Sequence, residues 1–327
     1  MLENLFRTDL AYDEVEYLDL VETIKTESGI NISKLNVDND LSNKINKKAG
    51  FYYTIDLIDD SFHDYKKSEL IEEEVANILR ELLKEEKVLG KRCLVVGLGN
   101  INVTPDALGP YTLDNVIVTR HLFTAGTVSD KYSEVSGISP GVMGSTGIET
   151  FDIIKSIVND IDIDYLIVVD ALCSSSIKRI NKTIQITNTG ISPGSGVGNR
   201  RKEISKETLG LPVIAVGIPT VVDFVTIASE IMDLVVKYLD FHSKEETVNF
   251  LNPTDLNLEE RKVDKKLKTK VLGEVGKLTE EQKKELLYDV VNNGGYNMIV
   301  TPKEIDLDIE DLSKIVAMSI NKAVHNF

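Results

Sequence analysis

Two cysteines and four histidines in 327 residues are scarcities that remove several chemistries. Cys93 and Cys173 give neither a disulfide framework nor a zinc-ligand spacing, which suits a reducing cytoplasm. His63, His121, His242 and His325 are scattered, with no paired spacing for a helical metal site. Basic residues are also short. The 37 Lys and Arg against 53 Asp and Glu leave a net charge of −16, which repels phosphates and argues against direct nucleic-acid binding. No apolar run approaches the ~20 residues that a membrane helix needs. The start, Met-Leu-Glu-Asn-Leu-Phe-Arg, has no apolar stretch of the secretory kind, so no secretory signal is expected.

Glycine motifs fall short as well. Gly97-Leu98-Gly99 lacks the third glycine of the dinucleotide fingerprint, and Gly194-Ser195-Gly196-Val197-Gly198-Asn199-Arg200-Arg201-Lys202 lacks the Gly-Lys-Ser/Thr ending of a P-loop. No cofactor is expected. The second stretch stays open as an anion-binding or substrate-backbone loop. Gly-Ile-Ser-Pro-Gly occurs twice, at 137–141 and 190–194, and matches the string of a serine-hydrolase elbow. The residue after the serine must offer a backbone N–H to the oxyanion, and here it is Pro140 or Pro193, which has none. Ser139 and Ser192 are therefore rejected as nucleophiles.

What remains is a strongly patterned globular chain, 42% apolar. Strands are expected at 51–58, 93–97, 165–170, 183–187 and 213–217, rich in β-branched and aromatic residues. Helices are expected at 66–87, 110–120, 148–159, 223–239, 280–292 and 308–325. Gly109 and Pro110 fit the start of the second helix, and Thr279 with Gln282 forms a capping box for the fifth. The alternation of strand, loop and helix indicates a three-layer α/β/α fold with a mainly parallel sheet and a C-terminal helical segment. Residues 176–200 are a candidate small β subdomain, and the polar stretch 243–272 reads as a surface excursion.

Two of the apolar strands run into aspartates. Val95-Val96-Gly97-Leu98-Gly99-Asn100 leads to Asp106, and Tyr165-Leu166-Ile167-Val168-Val169 ends on Asp170. In open α/β sheets, groups at the carboxyl ends of neighbouring strands converge on one crevice. Two carboxylates there share a proton and can work on a water molecule as acid and base. The roles stay unassigned, because a coupled pair titrates jointly. Read alone, Asp106 equally suits a helix N-terminus and Asp170 a polar strand end. A ligand-binding module with structural aspartates is one rival. A cysteine protease built on Cys173 and His121 is a more distant one.

The chain resembles the germination (spore) protease family. The resemblance is carried by Gly97-Leu98-Gly99-Asn100, Asn102-Val103-Thr104-Pro105-Asp106-Ala107-Leu108-Gly109-Pro110, Val118-Thr119-Arg120-His121-Leu122-Phe123 and Ser139-Pro140-Gly141-Val142-Met143-Gly144-Ser145-Thr146-Gly147-Ile148-Glu149-Thr150. It continues through Asp170-Ala171-Leu172, the Thr189–Asn199 stretch, Lys206-Glu207-Thr208-Leu209-Gly210, Gly217-Ile218-Pro219-Thr220-Val221-Val222-Asp223 and Val300-Thr301-Pro302-Lys303-Glu304-Ile305-Asp306. Ile101, Cys173 and residues 28–50 depart from the family pattern.

The resemblance implies an endopeptidase of the spore core that begins the breakdown of small acid-soluble spore proteins at germination. It implies an aspartate pair, Asp106 and Asp170, that needs no metal, a homotetramer, and a zymogen that trims its own N-terminus. Hydrogenase maturation endopeptidases are similar in fold but use a metal. The alternative is accordingly a metal-dependent peptidase holding its ion with Asp106, Asp170 and His121. The family's substrates are cut after the acid of a Thr-Glu-(Phe/Ile)-Ala-Ser-Glu type motif, and Thr8-Asp9-Leu10-Ala11-Tyr12-Asp13 repeats its chemistry. Cleavage between Asp9 and Leu10 is expected, dividing the chain into a 1–9 propeptide and a 10–327 peptidase domain. Gly97, Gly99, Asn100, Gly141, Gly144, Gly194, Gly196 and Gly198 are candidates to lie along an extended substrate, where a missing side chain lets backbone approach backbone.

Overall fold

A computed structural model describes residues 9–11, 20–26, 28–45, 47–57, 61–194, 201–244, 263–296 and 298–326. The strands are β1 (Glu22–Lys25), β2 (Asn31–Val37), β3 (Gly50–Asp56), β4 (Cys93–Gly97), β5 (Val135–Ile138), β6 (Tyr165–Ser174), β7 (Thr183–Thr187), β8 (Val213–Asp223) and β9 (Ile299–Val300). They form one sheet in the order β1-β2-β3-β7-β8-β6-β4-β5, with β9 paired to β8. The longer helices are α1 (Tyr65–Glu85), α2 (Leu108–Asn115), α3 (Thr150–Asp160), α4 (Phe224–Lys244), α5 (Lys265–Leu272), α6 (Glu280–Asn293) and α7 (Ile305–Val324).

The described residues divide into two compact units. One comprises Arg7–Ser174, Lys178–Val221 and Thr301–Phe327; the other comprises Ser175–Ile177 and Val222–Val300. In the first unit, β4 explains why its sequence is apolar at every position. Cys93 and Val95 pack with Leu79, Leu82, Ile309 and Leu312 of α1 and α7, while Leu94 and Val96 pack with Phe151 and Ile154 of α3. The strand is covered on both faces, so neither alternation set can be polar. β6 divides in the same way, with Ile167 and Val169 on one side and Leu166 and Val168 on the other. The α/β/α class is the one observed, but the sheet is mixed and not mainly parallel, because the strands from β1 to β8 in the sheet order pair antiparallel.

β4 is parallel to β5 and β6, while β1, β2, β3, β7 and β8 pair antiparallel in succession. β7, the strand within 176–200, lies inside this sheet between β3 and β8. In the second unit α4, α5 and α6 gather around a buried Lys283, whose Nζ lies 2.7 Å from an Asp233 carboxylate oxygen. Helix α5 occupies the end of the 243–272 stretch, capped by Asp264, whose side chain accepts from the Lys266 N–H; residues 245–262 lie outside the described set. The Thr279–Gln282 capping box is present at the head of α6. Among the described residues no helix is long and apolar enough to cross a membrane.

Candidate active site

The two aspartates are brought together by strand adjacency. β4 and β6 are parallel neighbours with Gly97 opposite Val169, so each strand delivers its next residues to the same end of the sheet. Asp170 is the residue after Val169, inside β6 and only 6% exposed. Asp106 reaches the same place by a loop that turns back through the short 3-10 helix Thr104–Asp106.

That loop is held at three points. The Leu98 N–H donates to the Val169 carbonyl at 2.8 Å, which continues the ladder past the end of β4. The Asn100 N–H donates both to the Asp106 carboxylate at 2.9 Å and to the Asp106 carbonyl at 3.1 Å. The buried Thr220 hydroxyl of β8 donates to the Pro105 carbonyl at 2.7 Å, and Thr220 in turn accepts from the Thr301 hydroxyl. Glycine is required at two turns of this path. Any Cβ on Gly97 would overlap the Gly109 carbonyl of α2, and one on Gly99, at φ +112°, would overlap the Asp106 carbonyl oxygen. Gly99 and Asn100 thus act on Asp106 through backbone packing and hydrogen bonding, while Gly97 lets β4 pack against Gly109 at the start of α2.

The electrostatics follow from this placement. Burial pushes the Asp106 carboxyl up to about 6, and the Asn100 N–H opposes the shift by favouring the ionised form. Asp170 is held well above the usual carboxylate range, first by burial and then by the negative charges of Asp106 and Asp9. The Ala171 N–H, 3.0 Å from an Asp170 carboxylate oxygen, offsets part of this.

Asp9 is therefore the third carboxylate of the site. The Asp9 N–H donates to the Cys173 carbonyl at 3.2 Å, and the Cys173 N–H donates to the Asp9 carboxylate at 2.9 Å. The next two residues, Leu10 and Ala11, are 0% exposed, with Ala11 seated among Leu35, Val37, Ile45 and Tyr52. Gln185 of β7, itself buried, closes the contact. Its Nε2 donates to the Asp9 carbonyl at 3.3 Å, and its Oε1 accepts from the Ala11 N–H at 2.7 Å. Thr8, Tyr12 and Asp13 lie outside the described residues.

The other expected residues fall elsewhere. Gly141, at φ +70°, lies in the loop before the short helix Met143–Thr146, and Gly144 within that helix has open space where a side chain would stand. Gly194 is at φ +70°, while Gly196 and Gly198 lie outside the described residues. His121 is exposed on the short helix Arg120–Ala125. Among the described residues no three His, Cys, Asp or Glu side chains are grouped to hold a metal ion, so Asp106, Asp170 and His121 do not form the ligand set of the metal-dependent alternative. Cys173 forms no disulfide and is buried, and it meets Asp9 through its main chain. Sequence reasoning passed over Gln185. Its signal was a single long polar side chain between Ile184 and Ile186 in a strand buried at all five positions.

Comparison with known proteins gives a consistent result. A family model described as Germination protease matches residues 7–327. A protein of Bacillus cytotoxicus named Germination protease is 43% identical over an alignment of 347 positions, gaps included, covering 98% of this chain and 94% of the relative. Relatives of the same name from Bacillus cereus and Bacillus pumilus are each 43% identical over 98% of this chain, with 94% and 93% of their own lengths covered.

Proposed function

The chain belongs to the germination protease family, and from that premise we propose that it begins the breakdown of small acid-soluble spore proteins, cutting them after an acidic residue. In the same proposal the chain is made as a zymogen that removes residues 1–9 by cutting between Asp9 and Leu10. The observation that carries this reading is the position of Asp9, which is hydrogen-bonded to Cys173 through both its backbone N–H and its carboxylate and whose charge adds to burial and Asp106 in raising Asp170. A self-cleavage sequence lying on the carboxylate pair is what an unprocessed zymogen requires. The buried Leu10 and Ala11 supply the apolar and small positions of the substrate motif. Homotetrameric assembly and a spore-core location rest on family membership alone.

The proposed mechanism divides the pair by environment. Asp170, more deeply buried and facing two like charges, is raised well above the usual carboxylate range and is the member of the pair assigned to hold the proton. Asp106, with its carboxyl at about 6, is ionised above that pH and takes a proton from water. The hydroxide oxygen so formed attacks the carbonyl carbon of the acidic residue. Asp170 then donates its proton to the leaving nitrogen.

The test uses the full chain in excess chelator, with products identified by intact mass. The expected products are a chain beginning at Leu10 and, from an added peptide containing Thr-Glu-Ile-Ala-Ser-Glu, a single cut after the first Glu. Asp170→Asn should abolish both without lowering the melting temperature. Full-rate cleavage by that variant, or cleavage only after metal is added, would overturn the reading.

A further inference from the structure

We infer that Gln185 is a catalytic residue, its side-chain amide gripping the peptide on both sides of the scissile bond and stabilising the oxyanion. The inference rests on the reading that Asp9–Leu10 is the bond cut.

Gln185 sits in the middle of β7, with its backbone opposite Thr54 of β3 and Gly217 of β8. Its side chain is 6% exposed, so an amide there is costly unless both its ends are partnered. Both ends go to residues 9–11. The Asp9 carbonyl can only accept and the Ala11 N–H can only donate, which fixes Nε2 on the first and Oε1 on the second. The amide thus bonds a carbonyl and the N–H two residues later, as one residue of a parallel strand does with its neighbour. It reads an extended main chain without reading side chains, as an added strand would.

The carbonyl it holds belongs to the scissile bond. When water attacks the Asp9 carbonyl carbon, a new C–O bond forms and the π pair of the carbonyl moves onto its oxygen. The attacking water gives its proton to Asp106. The oxygen that gains charge is the one facing Gln185 Nε2. A ground-state distance of 3.3 Å leaves room for the bond to shorten as the carbonyl lengthens and charge develops. Collapse returns the pair to the carbonyl and breaks the C–N bond. The electron pair of that bond goes to the Leu10 nitrogen, which is protonated by Asp170. With the oxyanion held by Gln185, the single Asp170 proton is reserved for the leaving amine.

The experiment follows the full chain by intact mass as it trims itself, comparing wild type with Gln185→Glu and Gln185→Leu. Gln185→Glu keeps the length and the acceptor for Ala11 but loses the N–H donor. Its trimming rate should fall about 100-fold, the usual cost of one oxyanion donor, measured where the protein is still folded, because the buried carboxyl it introduces lowers the melting temperature. The trimmed enzymes then receive the substrate peptide and an ester analogue in which oxygen replaces the N–H of the second residue after the cut. Wild type should lose about tenfold in kcat/KM on the analogue, while Gln185→Leu should not discriminate.

Wild type trimming at Leu10 with Gln185→Glu equally fast would overturn this inference and leave the Asp9–Leu10 reading intact. Wild type producing no chain that begins at Leu10 would overturn both. Where a variant fails to fold, the ester comparison in wild type decides alone, and equal kcat/KM on the two peptides overturns the inference.

Discussion

The backbone N–H of Cys173 donates a 2.9 Å hydrogen bond to the carboxylate of Asp9, a residue 164 positions earlier in the chain. If Asp9–Leu10 is the bond cut, as proposed, this main-chain donor three residues past Asp170 is the contact that would select an acidic side chain before it. Asp9→Leu removes a charge-assisted acceptor, a loss of about 1.5–3 kcal/mol that should slow self-trimming about 10–100-fold. Asp9→Asn keeps an acceptor and removes one of the charges that, after burial, raise Asp170, so it should be slowed less. Trimming rates of the two variants, read by mass, check the order. Equal rates for Asp9→Leu and wild type would refute the Cys173 contact as the selecting one.

Gly99 carries a second expectation. Its φ of +112° and the Asp106 carbonyl oxygen standing where a Cβ would go leave no room for alanine. Gly99→Ala should displace the Asp106 loop, abolish cleavage and cost about 1–3 kcal/mol in stability. Gly144→Ala meets nothing within 4 Å and should melt with wild type. Thermal unfolding of the two proteins side by side separates them, and equal melting temperatures would show that the Gly99 turn is not needed.

The aspartate pair was legible because each acid follows an apolar strand covered on both faces, and that signature is visible without coordinates. What the sequence left open was whether the strands were neighbours, and the Gly97–Val169 pairing answers it. The edge of the sheet was not legible. β1 is exposed at every position and β2 mixes Lys34 and Asn36 with its apolar residues, so neither shows the buried-strand pattern. Helix α5, KKLKTKVL, is equally polar and passed for a surface excursion. Gln185 was missed for another reason. In Thr-Ile-Gln-Ile-Thr the polar residues look like a solvent face, whereas the strand is buried throughout and its polar side faces other chain segments.

A distant pH response comes from His63, whose Nδ1 lies 2.8 Å from Asp311 and whose Nε2 lies 3.2 Å from Asp308 of α7. Partial burial pulls its pKa down, but the hydrogen bond to Asp311 and the two carboxylate charges outweigh this and leave it raised. A raised histidine contributes stability that is complete below its ordinary value of about 6.5 and is lost as pH rises through the folded value. His63 is partly exposed, so the contribution is at most about 1 kcal/mol. His63→Gln should therefore narrow its stability gap to wild type between about pH 6 and about pH 8. Parallel melting curves across that range would remove the pair from the stability account.

Asp106 should show the opposite sign. Its carboxyl is raised from 3.8 to about 6, so the folded state binds the proton more tightly than the unfolded chain does. The cost of ionising it is absent below about pH 4 and complete above about pH 6. Two units correspond to nearly 3 kcal/mol, which partial exposure reduces to about 1–2 kcal/mol. Asp106→Asn carries no charge, so at neutral pH it should be more stable than wild type by that amount and inactive. The gain should vanish on acidification towards pH 4. Wild-type cleavage should fall on the same titration, as Asp106 takes up its proton below about pH 6 and stops accepting one from water. Denaturant unfolding of both proteins across this range, with the wild-type cleavage rate measured in parallel, reads both consequences of one ionisation. An Asp106→Asn protein less stable than wild type at neutral pH would mean that the carboxylate is held for structure and not strained for catalysis.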